Sequence, residues 1–344
     1  MKNKRKLLLY VIFAGSLPAV FLLCVCMGSV EVPWGEALSL LGAALRGQAA
    51  PDGLYGSIVL TLRFPRVLCA GLTGAALSLC GAAMQGLLRN PLADGSTLGV
   101  SSGAALGAAV SIVLGVSIPG LPLAGAAGMA MLFAFGSLAA ILALAYSMDR
   151  SLSTHTLILI GVIFSMLVSS LLSLLITFSG EKLRTITYWT MGSLSGKSYG
   201  QAGLLALALF VFGTPLLFMA RELNAFALGE DNALHVGVPV RRVKLMVMAA
   251  SSALIGVCVS VGGSIAFVGL IIPHVMRMLA GPDHRHLLPL SMIAGASFLM
   301  LADLLARWAL RPLELPVGVV TSLIGAVFFL SVFYRSRKGG RKAC

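Results

Sequence analysis

The run GSLSGKS at 192–198 could do chemistry, because a glycine-rich turn ending in lysine can cradle a phosphate. Such a loop needs four residues between its glycines so that successive N–H groups wrap the anion, and here three intervene. The run also follows an interfacial aromatic pair, Tyr188-Trp189, so nucleotide hydrolysis is not expected of it. His274 and the cluster Asp283-His284-Arg285-His286 carry metal-ligating side chains, but alternating histidines in a short charged segment between apolar runs read as a solvated turn. The six cysteines (24, 26, 69, 80, 258 and 344) form no C-x-x-C pair, and five lie in apolar runs, where a free cysteine packs as a small hydrophobe. No metal site and no bound cofactor are therefore expected. His155 and Asp303 are the ionisable residues found within apolar stretches, both near stretch ends, too few for a proton or ion relay.

The elements that must position any site are set by composition. Of 344 residues 58% are apolar and 11% charged, with mean hydropathy +0.97, where a soluble domain carries about 25% charged residues. The chain therefore reads as an all-α integral membrane protein, and its 39 glycines suit closely packed membrane helices. A net charge of +13 raises nucleic acid as a partner, but no aromatic-and-basic pattern accompanies it, and the positive-inside bias of membrane proteins accounts for the excess.

A helix needs about 20 apolar residues to cross the hydrocarbon. The stretches 7–30, 67–88, 95–148 (two spans, broken at 118–122), 151–180 and 198–220 give the first six. The first has no cleavage-site pattern and is expected to be retained. The stretch 245–276 is too long for one helix and too short for two, and splitting it near Gly262-Gly263 gives a full span and a short one ending around Pro273. With 287–302 and 315–334 the count is ten, and both termini are cytoplasmic. This arrangement places seventeen of the 25 Lys and Arg inside and eight outside.

Two segments stand out in that frame. In 222–244, ELNAFALGEDNALHVGVPVRRVK, acids after Gly229 can open a short helix, Gly237 can end it, and Pro239 can begin a second. Two stubby helices between spans suit a docking surface for a cytoplasmic partner, and equally an amphipathic loop on the membrane surface. On the outer side Arg63-Phe64-Pro65-Arg66 just precedes a span and Arg307 lies at the end of another. These arginines suit either snorkelling to lipid headgroups or a basic socket for carboxylates.

Taken in order, LRFPR (62–66), GAAMQGLLRNPLADGSTLGVSSGAALG (81–107), YWTMGSL (188–194), ALGEDNALHVGV (227–238), GSIAFVGLIIPHVMR (263–277), GPDHRHLLP (281–289), ADLLAR (302–307) and ELPVGVVTSLIGAVFF (314–329) resemble the FecCD family of permease subunits in ABC importers for iron-siderophore complexes, haem and cobalamin. The resemblance implies a type II importer permease of about ten transmembrane helices, one domain over 1–344, with 223–244 as coupling helices. It implies a second permease subunit (an identical copy or close paralogue), two cytoplasmic ATPase subunits that use ATP and Mg, an external substrate-binding protein and surrounding membrane lipid. Leu228, Gly229, Glu230, Asp231, Ala233, Leu234, His235 and Gly237 would couple to the ATPase. Arg63, Arg66 and Arg307 would receive acidic residues of the binding protein. An inverted repeat is expected, echoed weakly by Asn90-Pro91 and Gly281-Pro282, each before a Gly/Ala-rich span.

On this reading the chain supplies a pathway and no catalysis, in the cytoplasmic membrane of a bacterium or archaeon, with an iron-siderophore complex as the first expectation for substrate and haem or cobalamin behind it. Ser165, Ser169, Ser170, Ser173 and Thr177 would give one span a hydroxyl stripe toward a bulky chelate, although serines also join packed helices. A stand-alone secondary transporter would need an intramembrane ion site, and a membrane enzyme would need a buried catalytic cluster; neither is evident.

Overall fold

A computed structural model describes residues 2–46, 53–94, 99–116, 124–150 and 152–340. The break expected at 118–122, the 95–98 portion of the second family motif and Cys344 lie outside them.

The described residues form ten apolar helices, seven long enough to cross a membrane and three with shorter apolar stretches. In chain order, with four short helices between them, they are α1 (Lys2–Cys26), short α2 (Trp34–Leu45), α3 (Leu54–Leu87), α4 (Val100–Leu114), α5 (Ala124–Met148), α6 (Thr154–Thr177), short α7 (Leu183–Thr190), α8 (Tyr199–Phe218), short α9 (Ala220–Phe226), short α10 (Glu230–His235), α11 (Val240–Gly262), α12 (Val268–Ala280), α13 (His284–Trp308) and α14 (Val317–Gly340).

One helix boundary departs from expectation at a proline. α3 starts at Leu54, so Arg63 and Arg66 lie inside a long helix and not ahead of it. A π-helical stretch, Ser57–Arg63, opens the backbone just before Pro65. The wider turn absorbs the missing N–H and the ring that would otherwise break the helix. α8 repeats the device, with a π stretch at Leu209–Gly213 before Pro215. The split near Gly262-Gly263 is observed, and Gly263 and Phe267 turn the chain with left-handed φ of 69° and 68°. The short helix that follows does not stop at Pro273 but runs to Ala280. At about 1.5 Å per residue it is about 20 Å long, less than a membrane crossing.

α3, α11 and α13 form the centre, with most of each span buried inside the chain. Small residues permit their contact. A Cβ on Gly81 would collide with the Gly269 carbonyl of α12, and one on Gly74 with the Gly295 carbonyl of α13. α1, α5, α6 and α8 are peripheral, and α6 exposes Leu159, Ile163, Met166, Leu167 and Leu174. The bundle has two ends. One carries Arg66 and Arg307; the other carries α10, the start of α1, where Lys6 approaches Asp283 at 4.0 Å, and the C-terminal end of α14.

Candidate functional site

At the α10 end the connection between α8 and α11 folds as a helix pair, α9 and α10. The second helix expected to begin at Pro239 is not a separate stub: Pro239 caps the long α11, and the partner of α10 is α9 upstream. Leu223, Phe226 and Ala233 are buried and fix the pair to the bundle. Gly229 and Gly237 flank α10 with φ of 109° and 86°, a region L-residues rarely adopt. Leu228, Leu234 and Val236 remain more than half exposed, beside exposed Asp231, Asn232 and His235. One bare aliphatic side chain on a six-residue helix, Leu234, with Leu228 just before it and Val236 just after, makes a compact knob.

Two residues assigned to that surface face inward instead. Ala233 is fully buried. The Glu230 carboxylate accepts from Lys244 Nζ at 2.6 Å and from Thr154 Oγ1 at 2.8 Å, while Lys244 Nζ also donates to the Leu152 carbonyl at 2.8 Å. Lys244, counted among solvated cytoplasmic cations by the charge bias, is fully buried at the first turns of α11. A buried ammonium is tolerated only when paired and hydrogen-bonded, and Glu230 supplies that pairing.

α9 is held separately. Asn224 Nδ2 donates to Asp283 Oδ1 at 2.8 Å, and Asn224 Oδ1 accepts from the His284 backbone N–H at 2.9 Å and lies 2.8 Å from His284 Nδ1. His284 is thus buried against Gly86 at the start of α13 and not in a solvated turn. Burial alone would raise the Asp283 carboxyl, but bonds from Asn224 and the Arg285 N–H, with His286 and Lys6 nearby, hold it below its usual value. Among the described residues no His/Cys/Asp/Glu group could hold a metal ion.

Gly237 gives a clean test of the helix stop. Nothing lies within 4 Å of a Cβ placed there, so Gly237→Val adds backbone strain without a clash. A left-handed φ costs an L-residue about 1–2 kcal/mol. The variant should insert normally while ATP hydrolysis stimulated by transport falls; unchanged stimulation in reconstituted complex would remove Gly237 from the site.

At the opposite end the three arginines do not form an open socket. Arg63, Arg66 and Arg307 are 5, 7 and 2% exposed. Arg63 donates to the carbonyls of Val25, Cys26 and Val30, and Arg307 to those of Cys24 and Met27. Two guanidinium groups thus satisfy carbonyls at and just beyond the C-terminal end of α1, where four lack intrahelical partners and partial negative charge collects. Arg66 and Arg307 share Asp303, each at 3.0 Å, and Arg66 also binds Glu314 at 2.7 Å. Burial would raise the Glu314 carboxyl, but the Arg66 bond keeps it below its ordinary value. Asp303 had no assigned role in the sequence; its i,i+4 spacing from Arg307 was the signal for one.

The hydroxyls of Ser165, Ser170, Ser173 and Thr177 each bond the carbonyl four residues back on α6, and Ser169, Ser170, Ser173 and Thr177 are exposed on this chain. The GSLSGKS turn packs against the end of α11, with the Ser193 N–H donating to the Gly262 carbonyl at 2.8 Å. A Cβ on Gly192 would strike the Ser264 carbonyl. Its first glycine thus serves a backbone crossing.

Comparison with known proteins matches residues 16–335 to the model of the FecCD transport family. An uncharacterised ABC transporter permease protein of Bacillus subtilis is 43% identical, covering 96% of this chain and 95% of the relative. The cobalamin import system permease protein of Halobacterium salinarum is 41% identical (87% and 79% covered). The hemin transport system permease protein of Yersinia pestis is 39% identical (93% and 94% covered). A solved structure described as an inward-facing metal-chelate type ABC transporter superposes with a TM-score of 0.78 at 33% identity, over 94% of this chain and 99% of that one. Ten apolar helices in that arrangement, a knob between α8 and α11, and a family match spanning nearly the whole chain lead to one conclusion: the protein belongs to the FecCD family and is the non-catalytic, multi-pass permease subunit of an ABC importer, working with a separate ATPase and a binding protein.

Proposed function

We propose that this permease forms half of the pathway of an ATP-driven importer for a bulky metal chelate, paired with a second permease subunit, two ATPase subunits and an external binding protein. The α10 knob carries the proposal: Leu234 and Val236 stand exposed between two glycine joints, with exposed Leu228 just ahead of the first, at the end where Lys6 lies. That end is assigned to the cytoplasm, following the charge bias, and both termini with it. ATP closure of the partner subunits would displace α10, and the helices would shift between outward- and inward-facing states. A ligand moves such an equilibrium only through its differential affinity for the two states.

The arginine end faces outward on this assignment and receives the binding protein. Arg63, Arg66 and Arg307 act there beneath the surface, by fixing the end of α1 and orienting Glu314. Carboxylates of the partner would have to compete with Asp303 for Arg66 and Arg307. The hydroxyl face of α6 is assigned to the pathway, with Ser165, Ser169, Ser173 and Thr177 toward the chelate.

For the substrate, the relatives described above favour a cobalamin- or haem-like macrocycle over the iron-siderophore complex expected from sequence, since their names specify cobalamin and hemin. The test is ATP-dependent uptake into proteoliposomes by the assembled importer, offered cyanocobalamin, hemin and a ferric hydroxamate chelate in turn. Uptake of one macrocycle is expected. Uptake of the hydroxamate alone would restore the siderophore reading, and uptake independent of ATP would overturn the importer reading.

A further inference from the structure

The α9–α10 pair is tied to the bundle by two unrelated sets of bonds. Asn224 joins α9 to the start of α13 through Asp283 and His284. Glu230 joins α10 to Lys244 of α11 and Thr154 of α6. Lys244 reaches further, to the carbonyl of Leu152, a buried residue held at φ 53° whose N–H is bonded to the Asp149 carbonyl at 3.0 Å. Ser153 beside it caps α6, accepting from the Thr156 N–H. The receiving segment is therefore fixed to its helix. Gly229, with φ of 109°, lies at the joint between the two sets. A six-residue helix has too few internal bonds to hold its own position, and among the described residues the hydrogen bonds from α10 to α6 run through Glu230.

We infer that Lys244 is a positioning residue for coupling: by gripping Glu230 and the Leu152 carbonyl it makes α10, the start of α11 and the start of α6 move as one body. A push on α10 is then delivered to α6 and α11, while α9 stays with α13 and Gly229 absorbs the difference. This inference rests on the proposed docking of the ATPase on α10. An ion pair whose ammonium is fully buried and whose carboxylate is partly so suits the task, because its attraction is screened much less than that of an exposed pair.

The experiment uses the complete complex of permease, ATPase subunits and binding protein in proteoliposomes. Lys244→Met alone would strand the Glu230 charge, so the main variant is the double change Glu230→Gln/Lys244→Met, which removes both charges at similar volume and preserves folding. Spin labels at Asp231→Cys on α10 and Val162→Cys on α6 report their separation in nucleotide-free and ATP-trapped states. With Lys244 present the separation should be the same in both states. In the double variant it should change with nucleotide, and stimulation of ATP hydrolysis by the binding protein should fall about tenfold, while the ATPase subunits still co-purify. Thr154→Val, which loses one bond, should fall between. A constant separation and normal stimulation in the double variant would overturn the role of Lys244. Leu234→Glu separates this from failure of the docking reading: if the ATPase still co-purifies with that variant, α10 is not where it docks.

Discussion

Asp303→Asn should leave little folded permease. The carboxylate lies fully buried between Arg66 and Arg307, 3.0 Å from each, and those guanidinium groups are themselves more than nine-tenths buried. Removing one partner from a buried ionic group strands the remaining charge and costs about 3–5 kcal/mol, a large fraction of an ordinary stability of about 5–15 kcal/mol. The effect should extend to α1, because Arg307 also holds the carbonyls of Cys24 and Met27. Size-exclusion profiles of detergent-extracted protein should show aggregation of Asp303→Asn and a wild-type peak for Arg311→Ala. The latter breaks a half-exposed pair, Arg311–Glu31 at 3.5 Å, which contributes at most about 1 kcal/mol. Equal profiles would show that the arginine end is not held by buried charge.

Gly81→Ala and Gly74→Ala should each be strongly destabilising, whereas Gly128→Ala and Gly136→Ala should be neutral or mildly stabilising. The first pair lies where α3 meets backbone carbonyls, Gly269 for one and Gly295 for the other; a methyl group at either place can be accepted only if two helices move apart. Overpacking of this kind typically costs about 1–3 kcal/mol, more where the neighbour is backbone that cannot rotate away. The second pair, on peripheral α5, has nothing within 4 Å of the added Cβ, and alanine favours a helix over glycine by about 1 kcal/mol. Thermal unfolding of the four variants in one detergent measures the contrast. Similar melting temperatures for all four would contradict the close crossings.

The uncharged intervals reported the helices well because hydrocarbon thickness forces long apolar runs, and the glycine pair near 262 marked a real reversal. They misplace the start of α3 because a charge inside a helix looks like its end: Arg63 and Arg66 interrupt the apolar run, while the π turn before Pro65 carries the helix through them. Period and composition carry no signal for a partner 237 residues away, so the Arg66–Asp303 pairing was hidden and the arginines looked free. The knob was legible at Gly229 and Gly237, where turn chemistry is local. The inward turn of Glu230 was not, because it depends on Thr154 and Lys244, which the chain brings in from two other helices.

Contact between the ATPase and α10 is what a crosslink tests most directly. A single cysteine in place of Leu234, carrying a short photoactivatable crosslinker in the assembled complex, should capture an ATPase subunit. The same probe at Val30, exposed near the arginine end, should not. Capture from Leu234 and none from Val30 is the predicted result. Capture from Val30, or none from Leu234 in a complex that hydrolyses ATP, would contradict it.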